Sequence, residues 1–202
     1  MPEVRSASQE STALRQPRTL RRKGVRVQLT ERDELVLETL ARFRLARTSD
    51  LIRTCFPGIN PTTAKLRLRR LFDGGHIQVH QAQIGSENVY RTKAKVPRGS
   101  VLHHLAVVHV WAQLATRPLD LCRADWELRE ELKYPDIVPD LFAVIQGQGF
   151  AIEVDRGTES KTVIQKKLAV YRTLPDLFGY PYTVVFVSEG GNPWSLLDPL
   201  LR

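Results

Sequence analysis

Asp140, Glu153 and Asp155 are the residues of this 202-residue chain whose types and spacing suggest chemistry. Asp140 stands at the threshold of an apolar run, Leu141 to Ile145, and Gln146-Gly147-Gln148-Gly149 can turn the chain back. A second apolar run, Phe150 to Val154, carries Glu153 and ends at Asp155. Side chains alternate between the two faces of a strand, so Glu153 and Asp155 are expected on one face. A tight hairpin would set Asp140 beside them. Three carboxylates meeting at the end of a buried hairpin repel one another unless a cation sits among them. A hard divalent ion with oxygen ligands, Mg²⁺ or Mn²⁺, is the expected cofactor, and phosphate the matching substrate.

The elements around this hairpin can be read in outline. A helix is expected from Val101 to Thr116, with Leu105, Val108 and Leu114 among its buried positions. Its histidines, His103, His104 and His109, lack the spacing of a paired zinc motif and are assigned to surface or packing roles. Arg117-Pro118 ends that helix, and Leu119 to Leu128 reads as a strand. After the hairpin, Thr158 can cap a helix running to about Leu174, and Tyr182 to Val187 reads as a final buried strand. Lys167 and Tyr171 are one helical turn apart on one face of that helix.

The first half of the chain has a different character. Residues 1–97 hold 19 basic and 9 acidic residues, whereas residues 98–202 hold 11 and 13. Residues 1–26 read as a flexible basic arm. Thr30 and Asp33 form a capping signal for a helix with Val36, Leu37, Leu40 and Phe43 on one face. A short helix from about Ser49 ends at Pro57-Gly58, and Asn60-Pro61 opens a third that Gly74-Gly75 stops. Alternating residues His76 to Gln83, a turn, and Val89-Tyr90-Arg91 then read as a two-stranded ribbon. Three helices and a ribbon resemble a winged helix-turn-helix in which the third helix enters the DNA major groove. Thr62, Thr63, Lys65, Arg67, Arg69 and Arg70 on that helix, with Arg91 and Lys93 on the ribbon, are the expected contacts to double-stranded DNA. Lys95 to Ser100 is the expected boundary, giving a DNA-binding domain at 27–97 and a second domain at 98–202.

Composition narrows the classes further. Hydrophobic content of 42% suffices for a packed core, and the net charge of +8 favours a polyanionic partner. No long apolar segment points to a membrane, and the first thirty residues lack the apolar core of a secretory signal. Cys55 and Cys122 form no metal-ligand spacing or disulfide framework, so a reducing, cytoplasmic setting is expected.

The order helix, strand, strand, strand, helix, strand after residue 98, with Pro139-Asp140 opening the second strand, is similar to the PD-(D/E)xK nuclease superfamily. More narrowly, the expected winged helix joined to Glu153-Val154-Asp155-Arg156-Gly157-Thr158-Glu159, with Lys167-Leu168 and Tyr171 downstream, resembles the replication-relaxation family of plasmids and other mobile elements. The resemblance implies an α/β fold, a winged helix-turn-helix followed by a restriction-endonuclease-like αβββαβ domain. It also implies metal held by Asp140 and Glu153, with Glu127 as a further contributor. The lysine normal two residues beyond the acidic strand residue is replaced by Asp155. Lys167 then becomes the first substitute and Lys161 the second, with Tyr171 completing the catalytic set.

The expected function is a metal-dependent DNA nuclease or nickase in mobile-element replication or transfer. Its partners would be double-stranded DNA, other proteins of the element and a second copy of the chain. The alternative is a non-catalytic DNA-binding regulator or scaffold whose nuclease-like domain serves dimerisation or docking. The same residues also have plainer readings: Asp140 as a turn residue, Glu153 and Asp155 as an ion-paired strand end, Lys167 and Tyr171 as amphipathic-helix positions.

Overall fold

The computed structural model describes residues 27–80, 87–92, 101–116, 137–145, 147–157, 159–177 and 179–188. The basic arm, the run 93–100 with Lys93, and the strand expected at 119–128 with Glu127 lie outside the described residues. Those described form a mixed α/β fold of five helices and two three-stranded sheets.

The chain begins with α1 (Glu31–Phe43), whose apolar stripe Val36, Leu40 and Phe43 is buried. A three-residue strand, β1 (Leu45–Arg47), leads directly into α2 (Thr48–Cys55). The start of α3 (Pro61–Asp73) follows from its sequence. Asn60 accepts a hydrogen bond from the Thr62 N–H at 2.8 Å, and Pro61 fills the first turn, where no N–H partner is needed. The ribbon expected after α3 is present as β2 (Gln78–His80) and β3 (Val89–Arg91). Both β1 and β2 pair with β3 in antiparallel register, giving the order β1-β3-β2. β1 is not legible in the sequence, because three residues between two helices carry no alternation.

The helix expected after residue 100 is α4 (Val101–Ala115). Leu105, Ala106, Val107 and Val108 are consecutive and all buried, which a helix exposed along one side cannot achieve. The reason is that α4 packs on α2 and β1 and also on the second sheet. One hydrophobic cluster therefore runs from Val36, Leu40 and Leu51 through Ala106 and Val108 to Leu141, Ile152 and Val154. It crosses the expected boundary at residue 98.

The second sheet has the order β4-β5-β6: β4 (Leu141–Ile145), β5 (Gln148–Asp155) and β6 (Tyr182–Ser188). β4 and β5 form the antiparallel hairpin, with Gly147 in the left-handed region at φ 79°. β5 and β6 run parallel and are joined through α5 (Lys161–Thr173), since parallel neighbours need a crossover. Strand alternation divides the core. Leu141, Ala143, Ile152 and Val154 join the cluster around α4, whereas Phe142, Val144 and Ala151 pack with Tyr171 and Leu177 on the α5 side. The cap of α5 is Ser160, two residues later than the expected Thr158, because its hydroxyl reaches the Val163 N–H. No helix among the described residues is long and apolar enough to cross a membrane.

An ion pair ties α3 to α1. Asp33 is fully buried and accepts from both the N–H and the hydroxyl of Thr30, each at 2.7 Å. Arg67 closes on the same carboxylate through Nε at 2.9 Å and through a second, shorter Nη2 contact, and it also donates to the Gln28 carbonyl at 2.7 Å. Burial alone would raise the Asp33 pKa, but the bonds from Arg67 and Thr30 outweigh it and hold the carboxyl below its ordinary value. A depressed carboxyl contributes stability above its unfolded pKa that is lost as pH falls through the folded value. Arg67→Ala is therefore expected to cost about 2–3 kcal/mol at neutral pH, slightly under the range for a fully buried pair because Arg67 is partly exposed. Urea denaturation across pH should show this gap narrowing below about pH 4 as Asp33 becomes protonated in parent and variant alike.

Candidate functional site

At the C-terminal end of β5 the sequence brings together more groups than the three expected carboxylates. Glu153 faces the α5 side of the sheet and is only 3% exposed. A carboxylate this deep needs partners on both oxygens, and α5 supplies them from positions one turn apart. Lys167 Nζ donates to Oε2 at 2.8 Å, and the Tyr171 hydroxyl donates to Oε1 at 2.6 Å. Lys167 also reaches Glu159 Oε1 at 2.7 Å, so its ammonium bridges two carboxylates.

Asp140 lies one residue before the Leu141–Ile152 pairing, beside Glu153 across the hairpin. Its Oδ2 accepts from the Val154 N–H at 2.7 Å, and its Oδ1 meets His103 Nε2 on α4 at 2.8 Å. Asp155, at the strand end, accepts from the Glu159 N–H at 3.1 Å and shapes the turn into α5.

These contacts set the protonation states. Burial would lower the Lys167 pKa, but the two carboxylates overcome it and hold the ammonium well above its ordinary range. Burial pushes Glu153 up, against the pull of Lys167 and Tyr171, and the Asp140 charge adds to the rise. The Tyr171 phenol is held far above its usual value by burial and by the Glu153 charge, so it acts as a hydrogen-bond donor only. The bond to Asp140 raises the His103 pKa despite partial burial.

The expected metal centre does not fit this arrangement. Both oxygens of Asp140 and both of Glu153 face protein donors, and Asp155 accepts from the Glu159 N–H. Among the described residues, no three His, Cys, Asp or Glu side chains are grouped to hold a metal ion. The cation that answers the carboxylates is Lys167. It and Tyr171, expected as helix contributors, do meet Glu153, whereas the second-choice Lys161 sits exposed in the first turn of α5.

Two members of the cluster were not anticipated. His103 had been assigned to surface or packing, since its partner Asp140 is 37 residues away and no local spacing signals the pair. Glu159, at the end of the stretch Glu153 to Glu159, pairs with Lys167 through Oε1, while its Oε2 is buried with no hydrogen-bond partner. His109, also assigned to packing, joins α4 to α2 by a 2.9 Å bond to the buried Asp50. Burial raises that carboxyl against the opposing effect of the histidine.

The other expected site is the outer face of α3. Thr62, Thr63, Lys65, Arg69 and Arg70 are exposed. Arg69 stacks over Phe72 at 5.7 Å and pairs with Asp73 at 3.1 Å. Arg67, expected with them as a DNA contact, is turned inward onto Asp33, whose buried charge it answers. Arg91 on β3 is half-buried, with its Nε lacking a hydrogen-bond partner.

Fold and site together define a mixed α/β protein with a basic helical face in its first half and a buried acid–lysine–tyrosine cluster in its second. A family model described as Replication-relaxation matches residues 80–180, half of the chain, and the chain belongs to that family. The matched span contains the whole cluster, from His103 to Tyr171, and leaves α1, α2 and α3 outside it. No curated protein and no solved structure matches the chain. Family membership points to a role in plasmid or mobile-element replication.

Lys167→Met should expose what the cluster contributes. Glu153 would keep only the tyrosine donor, and the expected loss is about 3 kcal/mol at neutral pH. The Glu153 pKa would rise further, and an acid with a raised folded pKa is most favourable below its unfolded value near about 4.3. Unfolding curves should thus show the deficit of Lys167→Met growing as pH rises from about 4 through the raised value. A deficit independent of pH would contradict the ion pair.

Proposed function

We propose that the chain is a DNA-binding protein of plasmid or other mobile-element replication, with residues 27–92 acting as a winged helix-turn-helix. The observation that carries this reading is α3. It follows α2 across a short turn, is fixed from behind by the Arg67–Asp33 clamp, and presents Thr62, Thr63, Lys65 and Arg70 to solvent. Cations on a helix so positioned contact phosphates, and the two threonines at its N-terminal end stand where base edges or backbone would be reached. The β2–β3 ribbon takes the place of the wing.

In this reading the β4–β5–α5–β6 unit is a nuclease-like body whose carboxylates stabilise the fold and whose surface serves docking or dimerisation. Closed hydrogen bonding at Glu153 and Asp140 favours that role over hydrolysis. A second reading, a metal-dependent nuclease or nickase, is favoured by one specific feature. Asp140, Glu153 and Lys167 stand together, so α5 supplies the lysine that the strand lacks at Asp155.

One assay separates the two. Supercoiled plasmid incubated with the protein and Mg²⁺ or Mn²⁺ is expected to remain supercoiled, with no difference from an Asp140→Ala, Glu153→Ala variant. Metal-dependent nicking by the parent that disappears in the variant would establish the nuclease instead. For DNA binding, Lys65→Ala with Arg70→Ala should weaken duplex affinity at low salt and reduce the slope of log K against log salt by about two. An unchanged slope in fluorescence anisotropy titrations would remove α3 from the interface.

A further inference from the structure

The outer face of α3 carries one residue that attraction to phosphate does not explain. Leu66 is 60% exposed, more than any other large apolar side chain among the described residues. At about 100° per residue it stands nearly opposite the buried stripe of Ala64, Leu68 and Leu71. The fold does not call for a leucine there, since alanine, lysine or glutamine would serve a solvent-facing helix position as well.

Its surroundings on that face are polar. Thr62 and Thr63 stand one turn before Leu66 and Arg70 one turn after it, and all three are exposed. Arg69 lies on the other flank, where it pairs with Asp73 and so answers the acid at the C-terminal end of the helix. An apolar tip ringed by hydroxyls and a guanidinium is poorly matched to an apolar protein groove. The major groove of DNA offers the complementary mixture. There thymine alone presents a methyl group, set among hydrogen-bonding base edges and bounded by phosphates.

We propose that Leu66 is a specificity-determining residue that packs on the 5-methyl group of thymine, making α3 selective for a T·A pair in the duplex it binds. The inference rests on the DNA-binding reading and adds to it what one position of the helix reads. Leu66 lies in the N-terminal half of α3, the part of a recognition helix that meets base edges. With Arg70 directed at a phosphate, the leucine and the two threonines are left to face the floor of the groove. The contact buries apolar surface and involves no charge, so it contributes to sequence choice and not to salt dependence.

The test uses the full chain and a duplex that it enriches from a random-sequence pool. Each thymine is replaced in turn by uracil, which removes the methyl group and keeps the base pairing. In fluorescence anisotropy the parent is expected to lose about three- to fivefold in affinity at one or two of these positions, the worth of one buried methyl group. Leu66→Ala should bind the thymine and uracil duplexes equally while keeping the parent's log–log salt slope, and Leu66→Met should retain the discrimination. Both substitutions suit an exposed helix position, so folding is preserved. A parent indifferent to uracil at every position, or a Leu66→Ala variant that still discriminates, would overturn the thymine contact and leave DNA binding by α3 intact. Failure to enrich any duplex, with no response from the Lys65 and Arg70 variants, would remove both.

Discussion

A buried carboxylate sets the terms for the second half of this protein. Glu153 lies almost wholly out of water, where an unpaired charge would cost several kcal/mol. Its two oxygens therefore dictate what α5 must carry and where. A lysine and a tyrosine one turn apart meet them, which fixes the rotation of α5 about its axis and its height along β5. Tyr171 then packs its ring 5.9 Å from Tyr182 and accepts that residue's hydroxyl on its backbone carbonyl, carrying the constraint on to β6. The seating of α5 and the polar cluster both follow from placing Glu153 among the buried residues of β5.

The first half uses the same device with a different cation. Asp33 is buried at the start of α1, and Arg67 on α3 closes on it in a forked contact that a lysine could not reproduce. The difference suits the tasks. A planar guanidinium with additional donors can also hold the Gln28 carbonyl, locking the segment before α1, while an ammonium on a flexible stem can bridge Glu153 and Glu159. In both halves a charge taken from the apparent functional surface has become internal framework.

How much of this was legible in the sequence depends on the range of the interaction. Caps, proline and glycine stops and apolar periodicity are local, so α1, α2, α3, α4 and the β4–β5 hairpin could be read, as could the proximity of Asp140 to Glu153. Lys167 and Tyr171 were legible as a pair because helix spacing places them on one face. The inward turn of Arg67 was not, since an arginine at the margin of an amphipathic helix looks the same whether it faces water or an acid 34 residues earlier. His103 was hidden for the same reason. The three carboxylates do not stand as the alternation alone suggests. Strand alternation does place Glu153 and Asp155 on one side, but strand-end geometry lets Asp155 turn into the following loop and bond the Glu159 N–H.

The seating of α4 has a consequence for how the two halves can behave. Its flanks are occupied by α2 and β1 on one side and by the second sheet on the other, with the Asp50–His109 bond pinning it in register. A helix wedged in this way acts as a keystone rather than a hinge. A cut at residue 98 would expose the apolar residues through which α4 meets α2, β1 and the second sheet.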